Sequence, residues 1–154
     1  MEVRRLTPDD WRLLRSVRLA ALEEAPYAFR TTHAEALAYD EERWRRQAGD
    51  RTLEGEHPIA TFVAVRDDGT GAGMIAGIDR GDCTLVVAMW VAPEHRGTGV
   101  FDRLLGAVVA WSPHERVELD VAVGNDRARR AYERHGFVVG GEAADGCEIH
   151  MVRG

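Results

Sequence analysis

The stretch from Met89 to Phe101, MWVAPEHRGTGVF, limits the fold of this chain more than any other. It begins within an apolar, strand-like run at 83–91, passes through a charged turn with two glycines, and ends in an apolar run at 100–111 with helical spacing. This order is typical of a phosphate site, because the first N–H groups of a helix have no partner within it and carry partial positive charge. The stretch therefore predicts a seat for a pyrophosphate group.

The residues of the loop suit contact with phosphate oxygens. Gly97 and Gly99 let the backbone approach without a Cβ in the way, and Arg96 adds a cation with forked donors. Taken alone, the loop is explained equally well as an ordinary tight turn between a strand and a helix.

A P-loop is excluded, because that motif needs a lysine and the chain has none. A dinucleotide-binding motif is also excluded, because Asp102 stands where a third glycine or alanine is needed.

Length and composition describe a single globular domain over residues 1–154, with 45% apolar and 30% charged residues. No apolar run approaches the roughly 20 residues of a membrane span, and the first residues lack the apolar region of a signal peptide. The two cysteines, Cys83 and Cys147, fit a reduced, cytoplasmic setting better than a disulfide framework. A net charge of −6 argues against a nucleic-acid partner. We expect neither nucleic acid nor membrane as a partner, and a homodimer stays open.

Hydrophobic periodicity and turn signals predict a mixed arrangement of strands and helices. The predicted strands are 2–6, 59–65, 74–78, 83–91, 117–123, 137–141 and 147–152, the last two forming a hairpin across 142–146. The predicted helices begin after Thr7, at Thr32 (ending near Gln47), near Gly99 and after Asn125. The strands at 83–91 and 117–123 are joined through a helix, so they should lie parallel by a right-handed crossover.

The second half of the chain contains a series of motif residues at characteristic spacings. The loop Arg96-Gly97-Thr98-Gly99-Val100 is followed by a strand and then by Asn125-x-x-Ala128-x-x-x-Tyr132-x-x-x-Gly136-Phe137. Together these resemble the GCN5-related N-acetyltransferase (GNAT) family, in element order along the chain and most sharply between Met89 and Phe137. The resemblance implies an α/β (α+β) fold: a mixed, mostly antiparallel sheet of six to seven strands, splayed central parallel strands and about four helices.

The resemblance also implies an acyltransferase that moves acetyl from acetyl-CoA directly to a primary amine, with the pantetheine arm between the parallel strands. Carried over residue by residue, the cofactor-binding set is Met89, Trp90, Val91, Arg96, Gly97, Thr98, Gly99, Val100, Phe101, Asn125 and Tyr132. The backbone at 89–91 would pair with the pantetheine, and the N–H groups at 96–101 would hold the pyrophosphate. The family usually has glycine or alanine where Phe101 stands, so the ring of Phe101 must pack elsewhere.

The acceptor is expected to be the amine of a small molecule; a protein N-terminus or lysine, and a non-catalytic acyl-CoA sensor, are the alternatives. Tyr27, Phe29, Trp90 and Asp120 are expected to border its cleft. The acids Glu35, Asp40, Glu41 and Glu42 would form its rim and favour small cationic amines. Aromatic core residues and a solvated acidic face explain the same residues without any substrate.

Two residues are candidates for catalysis. Tyr132, which the resemblance points at the sulfur, is the expected general acid; an aromatic core residue is the alternative. Period-2 alternation places Glu118 and Asp120 on one face of a strand expected to be central, where carboxylates need water or a site nearby. We expect Asp120 to act as general base through a water, with Glu118 or bulk water as alternatives. The six histidines show no metal-binding spacing, so no metal is expected, and each is interpreted as a surface or capping residue.

Overall fold

A computed structural model of the protein describes residues 1–142 and 147–154, with helices on both faces of one seven-stranded sheet. The strands are β1 (Glu2–Arg5), β2 (Ile59–Val65), β3 (Gly71–Asp79), β4 (Thr84–Val91), β5 (Val117–Ala122), β6 (Val138–Glu142) and β7 (Glu148–Arg153). The helices are α1 (Trp11–Glu24), α2 (His33–Leu37), α3 (Glu41–Gln47), α4 (Val100–Trp111) and α5 (Asp126–Arg134). In the described part of the chain, no helix is long and apolar enough to cross a membrane.

The sheet is mixed and mostly antiparallel, as expected. Its order is β1-β2-β3-β4-β5-β7-β6, in which β4 and β5 are parallel and every other neighbouring pair is antiparallel. The predicted meander of β2, β3 and β4 and the predicted hairpin of β6 and β7 are confirmed. Most of the turn predicted at 142–146 lies outside the described residues.

The capping signals at the start of α1 are confirmed. The Thr7 N–H donates to Asp10 Oδ2 at 2.9 Å, and a short 3-10 turn at Pro8–Asp10 leads into the helix. The cap predicted at Thr32 also forms, since its hydroxyl oxygen accepts from the Glu35 N–H at 3.1 Å.

The prediction of one helix from Thr32 to Gln47 is wrong. The chain forms two helices, α2 and α3, because Asp40 offers a second N-cap: its Oδ1 accepts a hydrogen bond from the Arg43 N–H at 2.9 Å. Restarting the helix there places Trp44, which is fully buried, in the apolar cluster with Leu14 and Val17 of α1. Breaking the helix loses backbone hydrogen bonds, and burial of this large apolar side chain offsets that loss of stability.

Two apolar layers cover the sheet. Helices α1 and α3 pack on one face around Leu14, Val17 and Trp44, and α4 and α5 pack on the other around Leu104 and Tyr132. Each helix contributes a broad apolar stripe toward the sheet. The two layers hold the central strands β3 and β4 between them, so the middle of the sheet is buried on both sides.

Strands β4 and β5 separate soon after they begin. They pair only at Thr84↔Val117 and Leu85↔Glu118, while β5 continues to pair with β7 along its whole length. Beyond that point β4 carries a bulge, where Ala88 has a φ of 59° and the register with β3 shifts. The expected splay of the central parallel strands is confirmed, and it leaves one side of the β4 backbone without a neighbouring strand.

Gly73 generates a test of this packing. A Cβ at this position would lie 2.7 Å from the Trp90 carbonyl oxygen and 3.1 Å from Leu104 Cδ1. We expect Gly73→Ala to lower the free energy of unfolding by ~1–3 kcal/mol in urea denaturation, because the added methyl group overpacks the contact. Gly106 in α4 has nothing within 4 Å, so Gly106→Ala should raise the same quantity by ~0.5–1 kcal/mol. Equal stability of the two variants would contradict this close packing.

Candidate functional site

A cavity of about 640 Å³ opens where β4 and β5 diverge. Most residues predicted for the site line it: Tyr27, Phe29, Met89, Trp90, Val91, Arg96, Gly97, Phe101, Asp120, Asn125 and Tyr132. The predicted residues Thr98, Gly99 and Val100 do not line it, and Val100, the first residue of α4, is buried in the core. The divergence of the two strands thus brings together side chains from both halves of the chain. We call this space the wedge cavity.

The glycine loop has the backbone conformation that its sequence requires. Gly97 and Gly99 have φ values of 76° and 92°, in the region that favours glycine, and Gly99 caps α4. The N–H groups of Gly97, Thr98 and Gly99 donate to no residue within 1–142 or 147–154. The loop therefore presents three backbone donors beside the start of a helix, an arrangement that suits an anion.

Arg96, predicted to add a cation with forked donors, has those donors engaged within the protein. Its Nε donates to the Val91 carbonyl at 3.0 Å, and its guanidinium binds the Glu24 carboxylate at 2.8 and 3.0 Å. Its backbone N–H donates to the Pro93 carbonyl at 3.3 Å, so that N–H is not one of the loop's open donors. The side chain lines the wedge cavity but is engaged in tying the glycine loop to the end of α1.

Glu24 is the partner that sequence reasoning missed. Besides Arg96, its carboxylate accepts a hydrogen bond from Trp90 Nε1 at 3.0 Å. One carboxylate thus joins α1, β4 and the glycine loop, and it holds Trp90 largely buried in the core. The role of Glu24 could not be predicted from the neighbouring sequence, because its partners lie 66 and 72 residues after it in the chain.

Tyr132 is both a core residue and a wall of the wedge cavity. Its ring centroid lies 5.2 Å from that of Phe101 and 5.6 Å from that of Phe137. The ring of Phe101 thus packs on Tyr132, which is where the departure from glycine or alanine is accommodated. Burial raises the pKa of Tyr132, so the phenol keeps its proton. No described residue accepts a hydrogen bond from its hydroxyl.

The two carboxylates of β5 share one face, as the alternation predicts, and a histidine joins them. His150 on β7 lies opposite Asp120, with Nδ1 2.8 Å from Asp120 Oδ1 and Nε2 2.5 Å from Glu118 Oε1. Only the protonated imidazole can donate to both oxygens. The hydrogen bond to Asp120 is the main reason that the pKa of His150 is raised.

The three groups differ in their access to the wedge cavity. Asp120 lines it and has a side chain 37% exposed, whereas Glu118 is largely covered. A hydrogen bond from Arg116 is the main reason that the pKa of Glu118 falls to about 2. Glu118 is thus a fixed negative charge behind the histidine, while Asp120 faces the cavity. Among the described side chains, no group of three or more His, Cys, Asp or Glu could hold a metal ion.

The interpretation of His150 as a surface or capping residue is wrong. Its side chain is about one quarter exposed and forms ion pairs with both carboxylates of β5. The alternation of β7 alone could not reveal this, because the contact depends on the register between β5 and β7.

Of the residues expected to border the acceptor, the aromatic residues line the wedge cavity and the acids of α2 and α3 do not. Tyr27 is 73% exposed at the cavity mouth, and Phe29 lies under the guanidinium of Arg18 at 4.7 Å. The predicted acidic rim is wrong: Glu35, Asp40, Glu41 and Glu42 do not line the wedge cavity. Asp40 caps α3 and Glu41 pairs with Arg45 at 2.9 Å, as expected for a solvated face of a helix.

Comparison with known proteins supports the reading of this geometry. The model of the acetyltransferase (GNAT) family matches residues 17–137. The chain is 30% identical over 125 residues to YdaF of Bacillus subtilis (strain 168), named for a proposed ribosomal N-acetyltransferase activity. That match covers 77% of this chain and 63% of YdaF. A 5-NmdU N-acetyltransferase of Pseudomonas phage PaMx11 is 36% identical over 63 residues, or 41% of this chain and 45% of the phage protein. The chain thus spans less than two thirds of either relative.

Solved structures share the fold. Nourseothricin acetyltransferase is 33% identical, with a TM-score of 0.57 over 62% of this chain and 64% of that one. The PaiA N-acetyltransferase of Thermoplasma acidophilum, in complex with coenzyme A, is 17% identical, with a TM-score of 0.70 over 99% and 97% of the two chains. The second likeness shows the fold alone, because its identity is low.

The histidine between two carboxylates can be tested by titration. We expect the imidazole NMR signals of His150 to give a pKa above the ordinary 6.5, and Asp120→Asn to lower that pKa. Asp126→Asn, an exposed acid on α5, is the control and should leave it unchanged. Because the folded pKa is raised, the stabilising effect of His150 is complete below about pH 6.5 and is lost as the pH rises through the folded pKa. A pKa of 6.5 or lower in the unmodified protein would contradict the arrangement.

Proposed function

Because the chain belongs to the acetyltransferase (GNAT) family, we propose that it transfers the acetyl group of acetyl-CoA to the primary amine of a small molecule. The observation that carries this proposal is the separation of β4 from β5 after Leu85, with Tyr132 on one wall of the resulting cavity and Asp120 on another. A proton donor and a proton acceptor then face the same space, as amine acylation requires.

The wedge cavity fits the chemistry of acetyl-CoA. On the side facing β5, the β4 backbone at 89–91 has no strand partner and can pair with the amide groups of a pantetheine arm. The free N–H groups of Gly97, Thr98 and Gly99 suit its pyrophosphate. Asn125 uses its side-chain oxygen to cap α5, accepting from the Ala128 N–H at 3.4 Å, and keeps its amide nitrogen for a ligand.

The chain's own residues supply proton transfer. When bound, acetyl-CoA supplies a thioester whose carbonyl carbon an amine can attack. Amines are mostly protonated at neutral pH, so we assign Asp120 as the base that accepts a proton, through a water. His150 binds Oδ1 of Asp120 and leaves its second oxygen for that water. Tyr132, kept protonated by burial, is assigned as the donor of a proton to the departing sulfur.

A small acceptor is supported by the names of two of the relatives, which refer to 5-NmdU and nourseothricin. The likeness to YdaF keeps a protein acceptor as the second candidate. A non-catalytic sensor has less support, because it would not require a phenol and a carboxylate on one cavity. The test is release of free CoA thiol from acetyl-CoA across small amines and peptides carrying an N-terminal amine or a lysine. Turnover of peptides alone would favour the second candidate. Failure of every acceptor tested to release CoA thiol would reject the proposal.

The glycine loop can be tested by binding. We expect Gly97→Val to weaken acetyl-CoA binding by at least ~1.4 kcal/mol, or tenfold, in isothermal titration calorimetry, because the side chain would stand among the backbone donors. Gly55 is a matched control, since it also has a positive φ of 73° and nothing within 4 Å of its Cβ, but lies away from the wedge cavity. Gly55→Val should carry a similar backbone strain and keep the affinity. Equal affinities of the two variants would contradict the assignment of the loop.

The catalytic assignments can be tested by kinetics. We expect Tyr132→Phe to lower kcat by ~10²-fold, because the proton donor is removed while the ring packing with Phe101 and Phe137 is kept. Asp120→Asn should lower kcat mainly below pH 8, where the amine needs a base. Acetyl-CoA affinity should be kept in both variants. An unchanged pH–rate profile in Asp120→Asn would remove Asp120 as the base.

A further inference from the structure

A second cavity, of about 310 Å³, lies on the α1 and α3 face of the sheet. It is bordered by α1, α3 and strands β2 to β4, and it shares Val87 and Ala88 of β4 with the wedge cavity. The bulge of β4 therefore forms a wall common to both spaces. We call the second space the arginine cavity, after Arg18, Arg43 and Arg51 in its lining.

Arg18 is a cation that has no anionic partner in the part of the chain that the structure describes. Its Nη1 atom is fully buried and has no hydrogen-bond partner among residues 1–142 and 147–154, and the guanidinium lies over the ring of Phe29 at 4.7 Å. In the described ranges no carboxylate forms an ion pair with it. Burial lowers the pKa of Arg18, and the phenol of Tyr39 opposes this shift.

Arg43 repeats this arrangement on α3. Its Nε atom is buried without a partner, and its guanidinium lies 3.9 Å above the ring of Tyr39. Other arginines of the chain have acidic partners, for example Arg45 with Glu41 and Arg66 with Glu94. Arg18 and Arg43 thus line one cavity with buried donor atoms that are unpaired among the described residues.

The remaining charges of the arginine cavity do not neutralise the pair. Arg51 is exposed and adds a third positive charge. Glu54 is the carboxylate in the lining; it is exposed and, as far as the described residues show, forms no ion pair with any of these arginines. A buried donor with no acceptor is destabilising, and more so when it is charged. An anionic ligand would remove that cost.

We propose that the arginine cavity binds the acceptor, and that the acceptor is a small primary amine that also carries a carboxylate or phosphate group. This inference rests on the proposed function. The planar forks of Arg18 and Arg43 match the paired oxygens of such anions. The two cavities adjoin at Val87 and Ala88, so an acceptor anchored by its anion would place its amine on the side of the wedge cavity. The volume suits a small molecule, since ligand pockets begin at roughly 300 Å³.

This inference reverses the preference for cationic amines that the acids of α2 and α3 suggested. Those acids, Glu35, Asp40, Glu41 and Glu42, do not line the arginine cavity either. Arg18 and Arg43 line the cavity, whereas these four acids are exposed to solvent. The net charge of −6 describes the whole surface and carries no information about this space.

The anion site is tested first with simple probes. With saturating CoA present, so that the glycine loop is occupied, inorganic phosphate or acetate should raise the melting temperature of the unmodified protein. The same increase is expected in Arg46→Gln, because Arg46 is exposed on α3 and lines neither cavity. It should be lost in Arg18→Gln and Arg43→Gln. Circular dichroism checks the fold, and Arg18→Lys, which keeps the charge without the fork, should recover part of the increase. No increase in the unmodified protein would overturn the proposal.

Acceptor selectivity is tested with matched pairs. We expect kcat/KM to be at least tenfold higher for β-alanine than for β-alaninamide, or for ethanolamine phosphate than for ethanolamine. Which pair responds distinguishes a carboxylate from a phosphate. Arg18→Gln and Arg43→Gln should remove the preference, and Arg46→Gln should keep it. Equal turnover within both pairs would overturn the inference while supporting acetyl transfer. Probe binding without acetylation of any amine would instead contradict the proposed function.

Discussion

The separation of β4 from β5 after Leu85 is the constraint on which the rest of the site depends. It is enforced from both sides, because β4 stays paired with β3 through its bulge and β5 stays paired with β7 along its full length. Peptide groups in the interior of a sheet normally pair, so an unpaired edge there is a site for a ligand that pairs as a strand does. The glycine loop, Tyr132 and Asp120 are arranged around that edge.

A small number of long-range polar contacts hold these parts in place. Glu24 joins the end of α1 to Trp90 and to Arg96, and His150 joins β7 to the two carboxylates of β5. Charge-assisted hydrogen bonds of this kind are stronger than neutral ones and demand a defined geometry. They orient the walls of the wedge cavity, and His150 also fixes the carboxylate of Asp120.

The sequence predicted most of the fold and most of the wedge cavity. The glycine loop, the meander and the cap at Asn125 could be read because their chemistry is local, within a turn or one period of a strand. The break between α2 and α3 was missed because Asp40 competes as a cap against a continuous helical pattern. Glu24, His150 and Arg18 were missed because their roles arise from contacts between distant elements, which periodicity cannot assign.

The bulge at Ala88 has a consequence for the rate of ligand binding. An alanine with a φ of 59° is costly by about 1–2 kcal/mol, so this conformation persists only because the surrounding strands and helices hold it. Straightening β4 to meet β5 would break its pairing with β3, and the slot between the strands therefore stays open without help from a ligand. We expect encounter to be limited by diffusion and local charge, with no slow opening step before the first contact.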